Sequence, residues 1–337
     1  MNISPRSYRY LVPALLPLAA LYLLWRARKQ PSYLKNWGER FAWSDFPRPR
    51  EARPVIWIHA VSVGETNATR PLVQAILKRW PQCDILLTHM TPTGREAGQR
   101  IVQLAPDRIR QCFLPYDAVY AVRKFLRQTQ PILGLLMETE VWPTVLEEAH
   151  SLGIPMVLVN GRLSEKSFKQ AMRVPELMKK AMSRFVAVCA QADNDAKRFL
   201  KLGTVEPVLT GSLKFDIQAP KAALTKAAEW KKELLHPVVL FASTRDGEEA
   251  LIVEALKKSI RPDVTYLLVP RHPQRFEEVE SLLKDSAITY QKRSELKTPA
   301  DIKSSTRVIL GDSMGEMFFY CALADVALMG GSFKPFG

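Results

Sequence analysis

Cysteine and histidine are scarce in this sequence, and neither is arranged in a metal-binding or disulfide pattern. The four cysteines are far apart without a CxxC pair, and the five histidines show no HExxH or similar spacing. Structural zinc sites and disulfide frameworks need paired ligands, so we predict neither of them, no metal, and a reducing compartment. Internal repeats and low-complexity segments are also absent from the sequence, which argues against a repeat array.

Acidic residues are outnumbered by basic ones. The 337 residues include 48 Lys and Arg against 34 Asp and Glu, a formal net charge of +14, which favours phospholipid, nucleotide or nucleic acid as a partner. Half of the excess lies in the first 50 residues, which hold nine basic and two acidic side chains. No recognised nucleic-acid motif accompanies this charge, so we expect no nucleic-acid partner. The length, with 47% apolar residues, favours two domains.

An uncharged apolar run near the N-terminus indicates a membrane anchor within residues 1–30. The run from Leu11 to Trp25 is followed at once by Arg26, Arg28 and Lys29. Fifteen residues are fewer than the roughly 20 that cross a bilayer, so a spanning and an interfacial anchor both remain open. A cleaved signal peptide and a buried core helix are alternatives, but no small-x-small cleavage site follows the run. The basic flank favours a body on the cytoplasmic side.

Short apolar runs alternate with amphipathic stretches after a polar link from Phe46 to Pro54. Continuous apolar runs joined by helices are typical of parallel, doubly wound sheets, so we expect an α/β fold with two Rossmann-like domains. The predicted strands are Val55–His59, Ile85–Thr88, Ile132–Met137, Pro155–Val159 and Phe185–Cys189, then Val238–Ala242, Tyr266–Val269, Val308–Leu310 and Val326–Met329. The predicted domains are 31–216 and 237–337, joined by an exposed, helix-bearing linker at 217–236.

Carboxylates follow two of the predicted strands in the first domain. Glu65 lies where the first strand gives way to a helix, so it is a candidate general base, or only a first-turn acid stabilised by the helix dipole. Glu138 and Glu140 follow the strand that ends at Met137, where Thr139 is a plausible helix cap. Two acids in one cleft would bind sugar hydroxyls or stabilise positive charge at an anomeric carbon.

Other predicted strand ends carry groups suited to an anionic or sugar ligand. The THMTPTG turn, which contains Thr91, is rich in hydroxyls and amides, although ordinary helix capping explains it equally well. Lys214 is a candidate phosphate contact near the domain junction, as are Arg245 and Arg271 in the second domain. Gly315 would allow close backbone approach of a nucleotide at the start of a helix.

Nine segments in this order resemble the lipid A Kdo transferases, which transfer 3-deoxy-D-manno-octulosonic acid (Kdo). The segments are HAVSVGE, THMTPTG, METEVWP, NGRLSEKS, GSLKFD, STRDGEE, VPRHPQRF, DSMGEM and ALMGGS. The resemblance implies a GT-B type glycosyltransferase of the Gram-negative inner membrane, single-pass or monotopic, with a cytoplasmic body. Its donor would be CMP-Kdo, used in the second domain, and its acceptor the lipid A precursor (lipid IVA), bound by the first. No cofactor is implied.

The resemblance also implies residue roles. Glu65 matches the general base of the family, and Glu138 and Lys214 match groups that stabilise the transition state. Contacts to CMP are implied for Pro270, Arg271, Met314, Gly315 and Glu316, and contacts to the acceptor are expected from Ser62, Gly64, Thr91 and Glu140. Transfer would invert the configuration at the ketosidic centre.

The sequence departs from the family at its C-terminal end. Family members continue beyond the GGS turn into an Asn and Glu motif that also contacts CMP, whereas this sequence ends at Gly337. The expectation is therefore a C-terminally truncated second domain. Three interpretations stay open: an active Kdo transferase, an impaired truncated relative that binds membrane or acceptor without turnover, and another nucleotide-binding enzyme of the same shape, such as an epimerase.

Overall fold

The computed structural model describes residues 4–49, 53–234 and 236–334. The first three residues of the expected anchor, residues 50–52 of the polar link, Leu235 in the expected linker and the last three residues lie outside the described residues. Contacts within the chain divide it into two compact units, Met1–Ile217 and Gln218–Gly337.

A parallel sheet organises the first unit. Its strands among the described residues are β1 (Val55–His59), β2 (Asp84–His89), β3 (Ile109–Phe113), β4 (Pro131–Met137), β5 (Met156–Gly161), β6 (Phe185–Ala190) and β7 (Val208–Leu209). The order is β3-β2-β1-β4-β5-β6-β7, with every pairing parallel. The predicted α/β class is confirmed, but β3 and β7 were not predicted. Arg110 and Gln111 interrupt the apolar pattern of β3, and β7 has only two residues.

Helices flank this sheet and bury apolar residues on both of its faces. They are α1 (Pro5–Ala27), α2 (Trp37–Arg40), α3 (Val63–Arg79), α4 (Pro92–Val102), α5 (Val119–Thr129), α6 (Pro143–Ser151), α7 (Glu165–Ala171), α8 (Pro175–Met182) and α9 (Asp193–Lys201). Along β1, Trp57 packs into one core, and Ile56 and Ile58 pack into the other. Successive side chains of a strand point to opposite faces, so a strand covered on both faces needs an unbroken apolar sequence.

The apolar run from Leu11 to Trp25, on which the prediction of an anchor rests, is part of α1. This helix of 23 residues is longer than the fifteen-residue run, because Pro5 is suited to its first turn and Ser4 caps it. It is long and apolar enough to cross a membrane. That is weak support for a membrane anchor, since length and composition alone do not separate an anchor from a core helix or a signal sequence.

The second unit is built on another parallel sheet. Its described strands are β8 (Val238–Thr244), β9 (Thr265–Pro270), β10 (Tyr290–Lys292), β11 (Val308–Leu310) and β12 (Val326–Met329), in the order β10-β11-β9-β8-β12. The helices are α10 (Lys221–Glu233), α11 (Glu248–Ser259), α12 (Phe276–Asp285) and α13 (Met317–Leu323). The polar edge strand β10 was not predicted, and α13 begins two residues later than the predicted start at Gly315.

The stretch interpreted as an exposed linker contributes to the core of the second unit. It forms α10, in which Ala227 and Trp230 are buried. These residues are three apart and so lie on one face of the helix. Trp230 meets Phe319 of α13 edge to face, with 5.3 Å between ring centroids. The lysines on the other face gave α10 the appearance of a solvated connection.

Candidate active site

The strand order of the first sheet reverses direction between β1 and β4. β1 pairs with β2 on one side and with β4 on the other. Ligands of open α/β sheets bind outside the carboxyl ends of the strands at such a point. Glu65 follows β1 in the first turn of α3, and Glu138 and Glu140 follow β4. The structure thus brings the three predicted carboxylates together at the place where this fold binds ligands.

Glu65 is held by the loop that leads into α3. The Val61 N–H donates to Glu65 Oε2 at 2.9 Å, and the Ser62 hydroxyl donates to Glu65 Oε1 at 2.9 Å. The Glu65 N–H donates in turn to Ser62 Oγ at 3.4 Å, so Ser62 caps the helix. Gly64 lies in the same turn, and only Ser62 Oγ lies within 4 Å of where its Cβ would be, so the loop leaves space there.

The environment of Glu65 favours its protonated form. Burial raises the pKa of Glu65 above its usual value and the charge of Glu138 raises it further, although hydrogen bonds from Val61 and Ser62 oppose the shift. A carboxylate with a raised pKa is a stronger base than a solvated one. Glu65 does lie in the first turn of α3, as the structural interpretation expects, and its role as a general base stays a prediction.

Glu138 has a strained backbone and lies beside Lys214. Its φ is +55°, a left-handed conformation that is uncommon for residues other than glycine and is often found at functional sites. Lys214 Nζ lies 3.6 Å from Glu138 Oε1, although the two residues are far apart in the sequence. Asn160 Nδ2 lies 3.4 Å from the same oxygen, and Asn160 Oδ1 accepts a hydrogen bond from the Leu213 N–H at 3.1 Å.

Asn160 is therefore a site residue that the sequence reasoning missed. Its side chain joins the loop after β4 to the turn that carries Lys214. The signal was present, because Asn160 opens the NGRLSEKS segment at the end of a strand, but a lone Asn before a Gly more often indicates a turn.

Glu140 is the most strongly perturbed acid of this group. Burial raises the pKa of Glu140 to about 7, the charge of Glu65 adds to the shift, and a hydrogen bond from Trp142 opposes it. That bond runs from Trp142 Nε1 to Glu140 Oε2 at 2.9 Å. At neutral pH, Glu140 is therefore partly protonated. Beside Glu65, it can both donate and accept hydrogen bonds.

The loop after β2 supports the loop that holds Glu65. The Thr91 hydroxyl accepts a hydrogen bond from the Gly94 N–H and donates one to the Val61 carbonyl, both at 3.0 Å. A Cβ on Gly94 would come within 2.7 Å of that carbonyl oxygen, so only glycine allows the two loops to approach so closely. The capping interpretation of Thr91 thus describes its geometry, and Thr91 positions the loop that holds Glu65.

The capping role expected of Thr139 is wrong. Helix α6 begins at Pro143, and its first free amides, those of Thr144 and Val145, donate to the buried Asp117 carboxylate at 2.9 Å each. Asp117 precedes α5, far from α6 in the sequence, so local patterns could not reveal this cap. Thr139 remains exposed in the loop between Glu138 and Glu140.

In the second unit, predicted CMP contacts follow two neighbouring strands. Pro270 ends β9 and Arg271 follows it, with an exposed side chain. Met314 and Gly315 follow β11, which pairs with β9. Met314 is 65% exposed, and no atom lies within 4 Å of the place that a Cβ of Gly315 would occupy. These residues lie at the carboxyl end of the sheet, with open space beside Gly315.

Glu316 differs from the other predicted contacts because its side chain is already engaged. Arg293 Nη2 donates to Glu316 Oε1 at 2.9 Å and Lys226 Nζ at 3.1 Å, and the Ser313 hydroxyl donates to Oε2. Burial alone would raise the pKa of Glu316, but these hydrogen bonds and the Arg293 charge outweigh it and lower the pKa. The Arg293 guanidinium also lies 4.7 Å from the Trp230 ring centroid.

The fold defines a class of protein: an α/β protein with two parallel sheets, of the GT-B type. The UDP-GlcNAc 2-epimerase from Neisseria meningitidis bound to UDP-GlcNAc has the same fold, with a TM-score of 0.54 and 12% sequence identity over 82% of this chain and 77% of that chain. At this identity the likeness concerns the fold alone.

The family follows from closer relatives. The family of 3-deoxy-D-manno-octulosonic-acid transferases (kdotransferases) matches residues 35–217. A 3-deoxy-D-manno-octulosonic acid transferase of Bordetella pertussis is 41% identical over 336 residues, 96% of this chain and 77% of the relative. Another, of Haemophilus influenzae, is 32% identical over 95% of this chain and 75% of the relative. The chain belongs to the Kdo transferase family of glycosyltransferases, as the nine segments predicted.

Proposed function

We propose that this chain transfers Kdo from CMP-Kdo to the lipid A precursor, lipid IVA, with inversion at the anomeric carbon. The observation that carries the proposal is the group at the switch point of the first sheet. A half-buried Glu65 with a raised pKa lies there beside the Glu138–Lys214 ion pair. Family membership supports Kdo transfer, and this geometry supports the residue roles.

In the proposed reaction, Glu65 is the general base. Its carboxylate takes the proton from a sugar hydroxyl of the acceptor while the hydroxyl oxygen bonds to the anomeric carbon of Kdo. The bond between that carbon and the phosphate oxygen of CMP breaks, and CMP leaves with the electron pair. A single displacement of this kind inverts the configuration, and the proton remains on Glu65 until solvent takes it.

Glu138 and Lys214 are proposed to stabilise the charges of the transition state. The Glu138 carboxylate would face the positive charge that develops at the anomeric carbon, and the Lys214 ammonium the negative charge of the Kdo carboxylate or the departing phosphate. Their 3.6 Å separation in the free protein leaves each able to exchange its partner for a ligand. Asn160 positions both groups, because it contacts Glu138 and the turn before Lys214.

The second unit is proposed to hold the donor nucleotide. The exposed Arg271 suits a phosphate, and the open backbone at Met314 and Gly315 suits close contact with the cytidine. Pro270 fixes the backbone before Arg271. Because its carboxylate is engaged by Arg293 and Lys226, Glu316 is proposed to fix the shape of the 313–316 turn.

The proposed location is the inner membrane, with the body in the cytoplasm. A bisphosphorylated lipid acceptor lies in an anionic membrane, and the net charge of +14 and the apolar α1 both favour attachment to such a surface. An attached enzyme reaches its acceptor without extracting it from the bilayer.

The decisive experiment compares the chain with a Glu65→Gln variant. CMP-Kdo is generated in situ, the tetraacylated lipid A precursor is supplied in mixed micelles, and product is followed by mass spectrometry. We expect transfer by the wild-type chain and a rate about 10³-fold lower for Glu65→Gln. Proton NMR of the product should show the anomer opposite to that of the donor. Undiminished transfer by the variant, or a product that keeps the donor's configuration, would disprove the mechanism.

A further inference from the structure

Helix α1 is apolar on all sides, yet the protein covers only one of them. Its docked face packs on the first unit through Val12, Leu16, Ala20 and the buried Leu23. The opposite face exposes a stripe at intervals of four and three residues. The stripe consists of Leu11, Leu15, Leu18, Tyr22 and Trp25, which are 39%, 45%, 59%, 53% and 55% exposed. A helix without a polar face requires an apolar environment on both sides, and here the protein supplies half of it.

Both ends of α1 are fastened to the same unit. Near its start, the Tyr8 hydroxyl donates to the buried Asp117 carboxylate at 2.9 Å, and Arg9 pairs with Glu148 at 3.0 Å. Near its end, Leu23 packs with Tyr33 and Phe41. Tyr8 and Leu23 are fifteen residues apart, about 22 Å along the helix axis.

These contacts are incompatible with a helix that crosses the membrane. A spanning helix places its ends on opposite sides of roughly 30 Å of hydrocarbon, so the folded body can contact only one of them. To span, α1 would have to give up the Tyr8 and Arg9 contacts. It would also leave Asp117 without one of its donors and Glu148 without one of its two arginine partners.

Charge at both ends of the helix points the same way. Arg6 and Arg9 precede the uncharged run, and Arg26, Arg28 and Lys29 follow it. Spanning helices carry their excess of Lys and Arg on the cytoplasmic side, whereas here neither end is the uncharged one that translocates readily. Cations at both ends instead match a helix that lies along anionic head groups.

We propose that α1 is an interfacial anchor that lies in the plane of one leaflet. The stripe Leu11, Leu15, Leu18, Tyr22 and Trp25 enters the boundary between head groups and acyl chains, and the docked face stays on the protein. The occupant of the stripe is the surface of a bilayer that contains anionic phospholipid. The proposal does not depend on the catalytic roles above.

Topology is tested by cysteine labelling in a Gram-negative expression host. Arg6→Cys reports the start of α1, and Lys166→Cys, which is exposed on α7, reports the body. Both are made in a background with the native cysteines replaced by serine, and a membrane-impermeant maleimide is applied to spheroplasts and to inverted vesicles. An interfacial helix leaves both sites unlabelled in spheroplasts and labelled in inverted vesicles. Labelling of Arg6→Cys in spheroplasts would show that α1 spans the membrane and overturn the proposal.

A second measurement separates lipid binding from simple solubility. Leu15→Glu places a charge in the stripe, and Leu200→Glu places the same charge at an equally exposed leucine of α9, 46% against 45% exposed. With vesicles of equal parts phosphatidylglycerol and phosphatidylethanolamine, we expect Leu15→Glu to lower the partition coefficient by at least about tenfold, while Leu200→Glu leaves it unchanged.

Neither variant should alter the thermal unfolding midpoint, because neither leucine is packed in a core. Equal binding by Leu15→Glu and the wild type would overturn the proposal. So would a wild-type dimer in solution that Leu15→Glu dissociates, since the stripe would then bind a second copy of the chain. Kdo transfer is not measured in either experiment, so their failure would leave the proposed function untouched.

Discussion

The two sheets of this protein carry acids of opposite character at their carboxyl ends. In the first unit, Glu65 and Glu140 are half-buried next to Glu138, and burial together with mutual repulsion raises the pKa of Glu65 and of Glu140. In the second unit, Glu316 is surrounded by Arg293, Lys226 and Ser313, which outweigh the effect of burial and lower its pKa.

Acids in these two settings bind protons differently. A carboxylate crowded by like charges binds a proton more readily than a solvated one, whereas a carboxylate held by two cations stays an anion that stabilises the turn around it. The family resemblance predicts a role for both Glu65 and Glu316. From their surroundings we expect Glu65 to act in the reaction and Glu316 to stabilise its turn. Substitution of Glu65 should therefore lower turnover, and substitution of Glu316 should lower stability.

The largest effect is expected from Glu65→Gln, which keeps the size of the side chain and removes the base. General bases contribute about 10²–10⁴-fold, so the turnover number for Kdo transfer should fall by about 10³-fold. The midpoint of thermal unfolding should stay within about 2 °C of the wild type, because the amide oxygen of the introduced glutamine can still accept a hydrogen bond from Val61 or Ser62. Glu176→Gln, an exposed acid in the first turn of α8, is the matched control and should transfer normally. Unfolding of the Glu65→Gln variant would instead mean that Glu65, like Glu316, stabilises the fold.

Lys214→Met tests whether the ammonium group that pairs with Glu138 acts on the reaction. Loss of one preorganised charge costs about 10²-fold in turnover, so we expect a fall of that size with little change in the Michaelis constant for the acceptor. Lys169→Met removes a lysine that also pairs with a glutamate, at 3.7 Å on the surface of α7, and should have no effect. Equal activities of the two variants would show that Lys214 takes no part in the reaction.

Much of this comparison could be anticipated from the sequence, but the decisive contacts could not. Apolar runs such as Val55–His59 predict buried parallel strands, and the rule for open sheets then brings Glu65 and Glu138 to one edge. Nothing local shows that Asn160 joins Glu138 to the Lys214 turn, that Asp117 caps α6, or that Trp230 of α10 belongs to a core. Each of these contacts joins residues more than twenty positions apart, so it exists only after the sheet has formed.

The pH dependence of stability should reveal the raised pKa of Glu140 in the first unit. Since burial raises the pKa of Glu140 from 4.5 to about 7, the folded chain binds that proton more tightly than the unfolded chain. The associated stability is complete below about pH 4.5 and is lost as the pH rises to about 7. Glu140→Gln should abolish this loss and reduce the fall in the free energy of unfolding between pH 5 and 8 by up to about 3 kcal/mol. Urea titrations at both pH values measure it, and parallel curves for variant and wild type would contradict the shift.

The smallest effect should come from Glu316→Gln, and it should be an effect on structure. A neutral amide leaves the buried Arg293 guanidinium without its carboxylate, which we expect to lower the free energy of unfolding of the second unit by about 2 kcal/mol, less than for a fully buried pair because Glu316 is partly exposed. Glu254→Gln removes the exposed partner of Lys257 in the same unit and should leave stability unchanged. Hydrogen exchange of the α10 and α13 amides locates the loss, because Lys226 lies on α10 and Glu316 caps α13.

Kdo transfer by Glu316→Gln at saturating CMP-Kdo should stay within about tenfold of the wild type, since the variant retains the base and the Lys214 cation. Normal folding with a loss of turnover as large as that of Glu65→Gln would show that Glu316 touches the reacting groups. The contrast between a catalytic Glu65 and a structural Glu316 would then be wrong.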